Sequence, residues 1–196
     1  MPADAAPPPD LLTELGFYVL AGHASSPRTA LDEARDGERL GFGSAFVSER
    51  FNVKDAPTLC GAVAAVTERI GIATAATNHN TRHPLVTATF GATMHAMTGG
   101  RFALGLGRGF DALFDVMGVP RVTGAQLADT IDVLRRLWAD ESIIGHDGPA
   151  GRFPFLHQGA GLDGAPPVLL VALGPRTLEL AGAVADGVVL HTFFSD

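Results

Sequence analysis

The sequence predicts an α/β fold built on a parallel sheet, and it favours a (β/α)8 barrel over an open doubly wound sheet. Short apolar runs alternate with helical runs, and the first four apolar runs begin at residues 16, 44, 70 and 102. This alternation indicates parallel strands joined by right-handed crossovers. A dinucleotide-binding sheet would carry its glycine fingerprint after the first strand. Here the glycine-rich loop follows the fourth strand, and Phe110 occupies the place of the last glycine.

Composition limits the class of protein. The chain has 196 residues, of which 46% are hydrophobic, so it can form one good-sized core. Its net charge of -7 and its scattered basic residues argue against nucleic acid as the partner. No apolar run approaches the roughly 18 residues of a membrane span, and the N-terminus lacks the pattern of a signal peptide. We therefore expect a cytoplasmic protein that binds a small molecule, with the single cysteine, Cys60, in its core.

The first part of the chain predicts two strand-helix units after a leader. Residues 1–12 are rich in proline and alanine and are expected to form a flexible leader, whereas residues 13–196 are expected to form a single TIM-barrel domain. The predicted elements are strands at residues 16–21 and 44–48 and helices that begin at Pro27 and Pro57. The helix starts rest on proline, which is favoured in a first helical turn.

The third and fourth strands enclose the most strongly patterned stretch. An apolar run begins at Ile70 and ends in the polar loop of residues 78–81. Pro84 then starts a helix in which large apolar side chains recur at helical spacing, so we expect them in the core. These side chains are Val86, Phe90, Met94 and Met97. A strand at residues 102–106 follows and leads into the glycine-rich loop.

The last part of the chain predicts two more strands after an interruption. Thr123 is a suitable N-cap for a helix with an apolar stripe at Leu127, Ile131, Leu134 and Trp138. Residues 143–167 are rich in glycine and proline, and we interpret them as a loop insertion. Strands are then predicted at residues 168–172 and 187–190, with a helix from Pro175 between them.

These patterns account for about six strands, whereas a closed (β/α)8 barrel has eight. The sequence therefore predicts a barrel that is truncated after about six strands. An incomplete barrel exposes the edges of its outer strands, and exposed edges promote association. We expect a homodimer or, failing that, poor solubility.

Three motifs resemble, in order and spacing, the luciferase-like monooxygenase superfamily, and within it the branch of coenzyme F420-dependent oxidoreductases. The motifs are AVTERIGIATAATNHNTRHPLVTATFGATMHAMTGGRFALGLGRG, LRRLWADESIIGHDG and PPVLLVALGPRTLELAGAVADGVVL. The resemblance implies a (β/α)8 barrel of the bacterial luciferase-like type, with the cofactor at the carboxyl ends of the strands. It also implies hydride transfer to or from C5 of the deazaflavin, or oxygen chemistry with reduced FMN in the monooxygenase branch.

The resemblance also implies which residues bind the cofactor. The pair at residues 75 and 76 matches a strand bulge that holds a non-prolyl cis peptide behind the ring, and the next two residues would line the ring edge. Residues 107–109 match a loop beside the ring, and residues 173–175 match the turn that receives the phosphate of the cofactor tail. The implied cofactor-binding residues are Ala75, Ala76, Thr77, Asn78, Gly107, Arg108, Gly109, Leu173, Gly174 and Pro175.

Two departures from the family pattern concern proton transfer. Many relatives end the second strand with Ser-Asp-His, where this chain has Ser48, Glu49 and Arg50. Sugar-phosphate dehydrogenases of this branch place a glutamate after the fourth-strand glycines, where this chain has Phe110. A sugar-phosphate substrate is therefore not expected. Glu49 is the candidate base and Arg50 the candidate anchor for an anionic or carbonyl substrate, and the alternative is a solvated salt bridge between the two.

The predicted function is an F420-dependent oxidoreductase acting on a small alcohol, carbonyl or activated alkene. The alternatives are an FMN-dependent monooxygenase of the same fold and a non-catalytic flavin-binding barrel fragment. No metal site is predicted: His79 and His83 are four residues apart, but Pro84 keeps them out of a helix. The substrate itself is not identified by the sequence, because specificity in such folds depends on loop geometry.

Overall fold

A computed structural model describes residues 12–22, 25–159 and 164–190 of the chain. The strands are β1 (Gly16–Tyr18), β2 (Ser44–Val47), β3 (Gly71–Thr74), β4 (Phe102–Leu106), β5 (Ile143–Gly148), β6 (Gly151–Leu156), β7 (Val168–Ala172) and β8 (Gly187–Leu190). The helices are α1 (Thr29–Arg39), α2 (Ala56–Ala64), α3 (Pro84–Met97), α4 (Asp111–Met117), α5 (Gly124–Trp138) and α6 (Pro175–Val184).

The main sheet has six parallel strands in the order β1-β2-β3-β4-β7-β8 and curls into a half-barrel. Each strand pairs with the next one along the chain, once the β5-β6 hairpin is set aside. The predicted α/β class with a partial barrel is thereby confirmed. Because the strands are parallel, the loops that follow them meet at one edge of the sheet, where such folds bind ligands.

One face of the central strands is fully buried. Phe102, Leu104 and Leu106 of β4 are inaccessible to solvent, as are Val168 and Leu170 of β7. The buried apolar residues form one cluster that includes side chains of α1, α2, α3, α5 and the central strands. Cys60 of α2 lies in this cluster, and burial raises the pKa of its thiol.

Helix α5 begins at the predicted cap. The Thr123 hydroxyl accepts a hydrogen bond from the backbone N–H of Gln126 (3.2 Å), and the Gln126 side chain accepts one from the backbone N–H of Thr123 (2.8 Å). This reciprocal pair is a capping box. The predicted stripe is buried, except that Trp138 at its end is half-buried and donates from Nε1 to the Ala88 carbonyl in α3 (3.0 Å).

The predicted core face of α3 is partly wrong. Met94 is buried, but Val86 and Met97 are 56% and 55% exposed. The face that packs is made of small residues, namely Thr87, Ala88, Gly91 and Ala92. At Gly91 an added Cβ would lie 2.9 Å from the Trp138 ring, so α5 approaches α3 closely only because this position lacks a side chain. Searching for large apolar residues at helical spacing missed this contact.

The predicted loop at residues 143–167 contains an antiparallel hairpin, β5-β6. Ile143 and Leu156 pair across it and are buried, whereas the neighbouring pair Ile144 and Phe155 is exposed. His146 lies 3.0 Å from an Asp129 oxygen of α5 and so ties the hairpin to that helix. Two of the glycines that favoured a loop, Gly148 and Gly151, pair with each other on either side of the hairpin's turn. Residues 160–163, within the same predicted loop, lie outside the described residues.

Two further features differ from or extend the predictions. Helix α4 follows the glycine-rich loop after β4 and was not predicted. The predicted leader lies outside the described residues except for Leu12. Within the part of the chain that the structure describes, no helix is both long and apolar enough to cross a membrane.

A carboxylate near the end of α1 bonds to the backbone of the segment that precedes β3. Glu38 accepts hydrogen bonds from the backbone N–H groups of Glu68 (3.0 Å), Ile70 (3.0 Å) and Arg69. Burial raises the pKa of this carboxyl, but the three backbone hydrogen bonds and the charge of Arg69 outweigh burial, so the net shift of the pKa is downward. The ionised form is therefore the one that stabilises the fold.

We expect Glu38→Gln to lower the free energy of unfolding at pH 7 by about 1 to 3 kcal/mol, because charged acceptors form the stronger hydrogen bonds. A lowered folded-state pKa contributes stability above the unfolded-state value, about 4, and that contribution is lost as the pH falls through the folded-state pKa. The difference in the free energy of unfolding between wild type and Glu38→Gln should thus become smaller below about pH 4. Urea unfolding at several pH values measures it, with Asp36→Asn in the same helix as the control. A gap that does not change with pH would contradict this account.

Candidate functional site

The loops after β2, β3, β4 and β7 lie at the carboxyl edge of the sheet. They carry every residue that the sequence singled out for the site. The loop after β3 is the central one, since it bonds to both neighbouring strands. An isolated parallel bridge between Thr77 and Leu106 extends the pairing of β3 with β4 beyond the regular strand.

The peptide bond between Ala75 and Ala76 is cis, at the position that the resemblance implies. The backbone on both sides of it is held by hydrogen bonds. Ala75 N donates to Val47 O (2.9 Å), Glu49 N donates to Ala76 O (2.9 Å) and Thr77 N donates to Gly105 O (2.9 Å). Residues 75–77 are therefore held between the end of β2 and β4.

Small residues face one another where β3 and β4 end. A Cβ added at Gly107 would lie 2.9 Å from the Ala76 methyl, so these two residues are in contact only because Gly107 has no side chain. Asn78 is buried, and its side-chain amide donates to the Gly107 carbonyl (3.1 Å). The Asn78 side chain thus fixes the two loops to each other.

A cleft of about 450 Å³ lies between the loops after β4 and β7. Its walls are Arg108, Gly109, Asp111, Val171, Leu173, Gly174, Pro175, Arg176 and Thr177. Five of the ten predicted cofactor residues are among them. The other five, residues 75–78 and Gly107, do not line the cleft. Gly107 precedes Arg108, which does.

The cleft suits an anion. Helix α6 begins there with Pro175, which has no N–H, and its N-cap, Gly174, has no side chain to cap the helix. Thr177 N donates to Gly174 O (3.0 Å), so the N–H of Arg176 and the helix dipole are the backbone features that favour a negative charge. Arg108 and Arg176 add two guanidinium groups against the single carboxylate of Asp111. Arg108 is oriented by the hydrogen bond from its Nε to Val122 O (2.8 Å).

Glu49 is not solvated as the loop position suggested, and its side chain is only 5% exposed. Arg82 donates to both carboxylate oxygens (2.7 and 3.3 Å), the Thr77 hydroxyl donates to one (2.6 Å) and Ala56 N donates to the other (3.1 Å). Arg82 also donates to Asp55 (2.7 Å). The ion pair is therefore buried and joins Glu49 to Arg82, whereas the sequence suggested a pair with Arg50.

The cluster favours the charged forms of Arg82 and Asp55. Burial alone would lower the pKa of Arg82, but the hydrogen bond and charge of Glu49, together with Asp55, raise it. Burial likewise raises the pKa of Asp55, and hydrogen bonds from Thr58 with the charge of Arg82 reverse that effect and lower it. Sequence reasoning missed Arg82. The available signal was a basic residue in the β3 loop opposite two acidic residues in the neighbouring β2 loop.

Basic residues of the same β2 loop hold the end of β1. Lys54 donates to the carbonyls of Val19 (3.0 Å) and Leu20 (2.9 Å), and burial followed by the charge of Arg50 lowers its pKa. Arg50 is exposed and donates to Ala21 O (3.3 Å).

A second cleft of about 400 Å³ opens beside this loop. It is lined by Glu49, Phe51, Asn52, Val53, Lys54, Asp55, Thr81 and Arg82.

The two histidines of the β3 loop differ in their surroundings. His83 is the N-cap of α3, where its Nδ1 accepts a hydrogen bond from Leu85 N (3.3 Å). His79 has a buried Nδ1 without a partner, and burial lowers its pKa to about 4, so it is neutral at pH 7. Among the described residues, no group of three or more histidine, cysteine, aspartate or glutamate side chains could hold a metal ion.

These features define a partial (β/α) barrel with a candidate ligand site at the carboxyl edge of its sheet. The chain belongs to the luciferase-like monooxygenase family, whose model matches residues 12–196.

Curated relatives of the chain include two enzymes named for their reactions. It is 33% identical over 162 aligned residues to a 5,10-methylenetetrahydromethanopterin reductase of Methanolobus tindarius, covering 81% of this chain and 48% of that protein. It is 31% identical over 187 residues to an F420-dependent glucose-6-phosphate dehydrogenase of Beutenbergia cavernae, covering 88% and 55%. The chain thus spans about half the length of these relatives.

Solved structures share the fold. An F420-dependent secondary alcohol dehydrogenase in complex with an F420-acetone adduct superposes with a TM-score of 0.74 at 26% identity, covering 89% of this chain and 57% of that one. The oxygenating constituent of 3,6-diketocamphane monooxygenase from Pseudomonas putida, in complex with FMN, gives a TM-score of 0.71 at 21% identity, with coverages of 85% and 54%. The latter likeness concerns the fold alone.

We expect the stability of the chain to fall between pH 6.5 and pH 4, in part because His79 resists protonation in the fold. Its folded-state pKa, about 4, lies below the ordinary 6.5, so the unfolded chain binds the proton first. Relative to its own value at pH 8, the wild type should lose about 3 kcal/mol more than His79→Asn by pH 4. Chemical unfolding of both proteins across this range measures the difference. Parallel pH profiles would contradict the prediction.

Proposed function

We propose that this chain is the cofactor-binding part of an F420-dependent oxidoreductase, which transfers a hydride between C5 of the deazaflavin and a small organic alcohol, carbonyl or activated alkene. The observation that carries the proposal is the contact between Ala76, beside the cis peptide bond, and Gly107, next to a cleft suited to an anion. The F420-dependent relatives support the choice of cofactor.

The residues present fit a flat ring with an anionic tail. Ala76 and Gly107 offer a face without large side chains, against which a planar ring can lie. The N-terminus of α6, with Arg108 and Arg176, can receive the phosphate of the tail. The bound deazaflavin would supply the hydride chemistry, while the chain holds ring and substrate in register.

The β2 loop is the proposed substrate side of the site. Arg50 is exposed, and its guanidinium can bind a carbonyl or anionic oxygen. In this arrangement Arg50 anchors the substrate and Glu49 is the proton acceptor. Because four donors already bond the two oxygens of Glu49, accepting a proton would require one of these bonds to open.

Charge in the second cleft favours a small substrate without a phosphate. Its wall has two acidic side chains, Glu49 and Asp55, and two basic ones, Lys54 and Arg82. All four are engaged in hydrogen bonds within the chain. No positive charge is left over in this wall for a phosphate dianion, which supports the expectation that a sugar phosphate is not the substrate.

The edge strands β1 and β8 carry exposed apolar side chains, including Tyr18, Val188 and Leu190. We propose a homodimer that covers such surfaces, in the cytoplasm.

The test is titration of the chain with F420 and, separately, with FMN, followed by fluorescence and thermal unfolding. We expect F420 to raise the stability by about 2.7 kcal/mol at a hundredfold excess over its dissociation constant. Gly107→Ala should weaken F420 binding by about tenfold or more, because the added methyl displaces Ala76. Gly182→Ala in α6, where an added Cβ meets nothing, is the matched control. Stabilisation by FMN alone would favour the monooxygenase alternative, and binding of neither would refute the proposal.

We expect Arg176→Gln to weaken binding of F420 but not of a deazaflavin that lacks the phosphate tail, because Arg176 lies in the anion-binding wall. The loss should be about tenfold. Fluorescence titration with the two ligands measures it, and Arg152→Gln on the exposed hairpin serves as the control. Equal losses for both ligands would place Arg176 outside the phosphate site.

A further inference from the structure

We propose that Arg82 is a positioning residue for the cofactor-lining turn, defined here as residues 75–78. It would act through Glu49 and Thr77, without contact to the cofactor. This inference rests on the proposed function, because it assigns a role to a residue behind the same site.

Arg82 is the centre of the contacts behind the turn. Its side chain is 19% exposed, and its guanidinium bonds to three side chains from two loops, namely Glu49, Asp55 and Thr77. Glu49 and Asp55 precede α2, whereas Thr77 follows β3. A planar guanidinium with several fixed donors can hold such a set in one geometry, which a single ammonium group cannot do.

The first connection to the turn is the Thr77 side chain. Its hydroxyl donates to Glu49 (2.6 Å) and accepts from Arg82 (3.0 Å), and the residue is buried. The backbone of Thr77 is bonded to the opposite side: its N–H donates to Gly105 O (2.9 Å) and its carbonyl accepts from Gly107 N (3.1 Å). Thr77 therefore connects the ion pair to the glycine loop of β4.

This placement changes the interpretation of Thr77 as a ring-edge contact. Because its hydroxyl is bonded to Glu49 and Arg82, that hydroxyl supports the turn and is not offered to the ring. The side chain determines where the Thr77 backbone lies.

The second connection is the backbone of Glu49. Its N–H donates to the carbonyl of Ala76, while its side chain is held by Arg82. A movement of the Glu49 side chain would therefore be transmitted to the residue that contacts Gly107. Both connections lead from Arg82 to the surface on which we propose the deazaflavin ring lies.

Removing the guanidinium would leave a buried carboxylate without its counter-charge. Glu49 would then have to reorient towards water, and the two hydrogen bonds that fix Thr77 and Ala76 would be disturbed. The predicted result is a turn that still forms but is less well held, with a poorer fit to a planar ring.

The experiment compares F420 affinity in the wild type, Arg82→Met, Arg82→Lys and a control, Arg136→Met. Arg136 also pairs with two acidic residues, but on the outer side of α5, away from the site. We expect Arg82→Met to raise the dissociation constant of F420 by about tenfold or more. Arg82→Lys should recover part of the loss, and Arg136→Met should bind as the wild type does.

A second measurement needs no cofactor. Amide hydrogen exchange in the free protein should be faster in the peptide that contains residues 75–78 of Arg82→Met, and unchanged in the β5-β6 hairpin. Thr77→Val removes the hydroxyl while retaining the ion pair, and it tests the first connection if Arg82→Met folds poorly. We expect Thr77→Val to weaken F420 binding, and the double variant to lose less than the product of the two single losses.

The outcomes separate the two proposals. If the wild type binds F420 but Arg82→Met binds it equally well, the positioning role is overturned and the proposed function stands. The positioning role would also be overturned if the losses of F420 affinity in Arg82→Met and Thr77→Val were independent of each other. A less stable Arg82→Met without faster amide hydrogen exchange at residues 75–78 would overturn it too. If the wild type binds neither F420 nor FMN, the proposed function fails and this inference fails with it.

Discussion

The buried ion pair between Glu49 and Arg82 is the constraint on which the arrangement of the site depends. A carboxylate that is almost removed from solvent must be paired and hydrogen-bonded, or it would disfavour the folded state. Here the required donors come from the loop after β3 and from the start of α2. Satisfying one charge therefore fixes the relative positions of two loops and, through Thr77, of a third.

A ligand site at a sheet edge needs loops that do not move independently. In this chain the β2 loop makes most of the connections: Lys54 and Arg50 bond carbonyls at the end of β1, and Glu49 and Asp55 bond Arg82 in the β3 loop. Most of these charged groups therefore bond to other groups of the protein. The loop with the most charged residues thus offers little net charge to a substrate, whereas the cleft at α6 keeps its positive character for an anion.

Small residues allow neighbouring segments to approach each other closely. Gly107 against Ala76 permits the β3 and β4 loops to touch, and Gly91 against Trp138 permits α3 and α5 to approach. The missing side chain at Gly107 leaves a surface for the proposed flat ligand, and the missing side chain at Gly91 leaves a surface for helix α5. Polar groups fix the loops and small groups give them shape, so the two kinds of residue are needed together.

Much of this protein was determined by local sequence. The order of the six sheet strands, the cap at Thr123 and the parallel class follow from periodicity, capping residues and turn chemistry, which act within a few residues. The family motif also located the cis peptide bond at Ala75 and Ala76. Tertiary structure decided which face of α3 is buried, that residues 143–156 pair as a hairpin, and that Glu49 bonds Arg82. The reason is physical: these outcomes depend on which side chain from a distant segment satisfies a charge or fills a gap, and sequence spacing does not specify that distance.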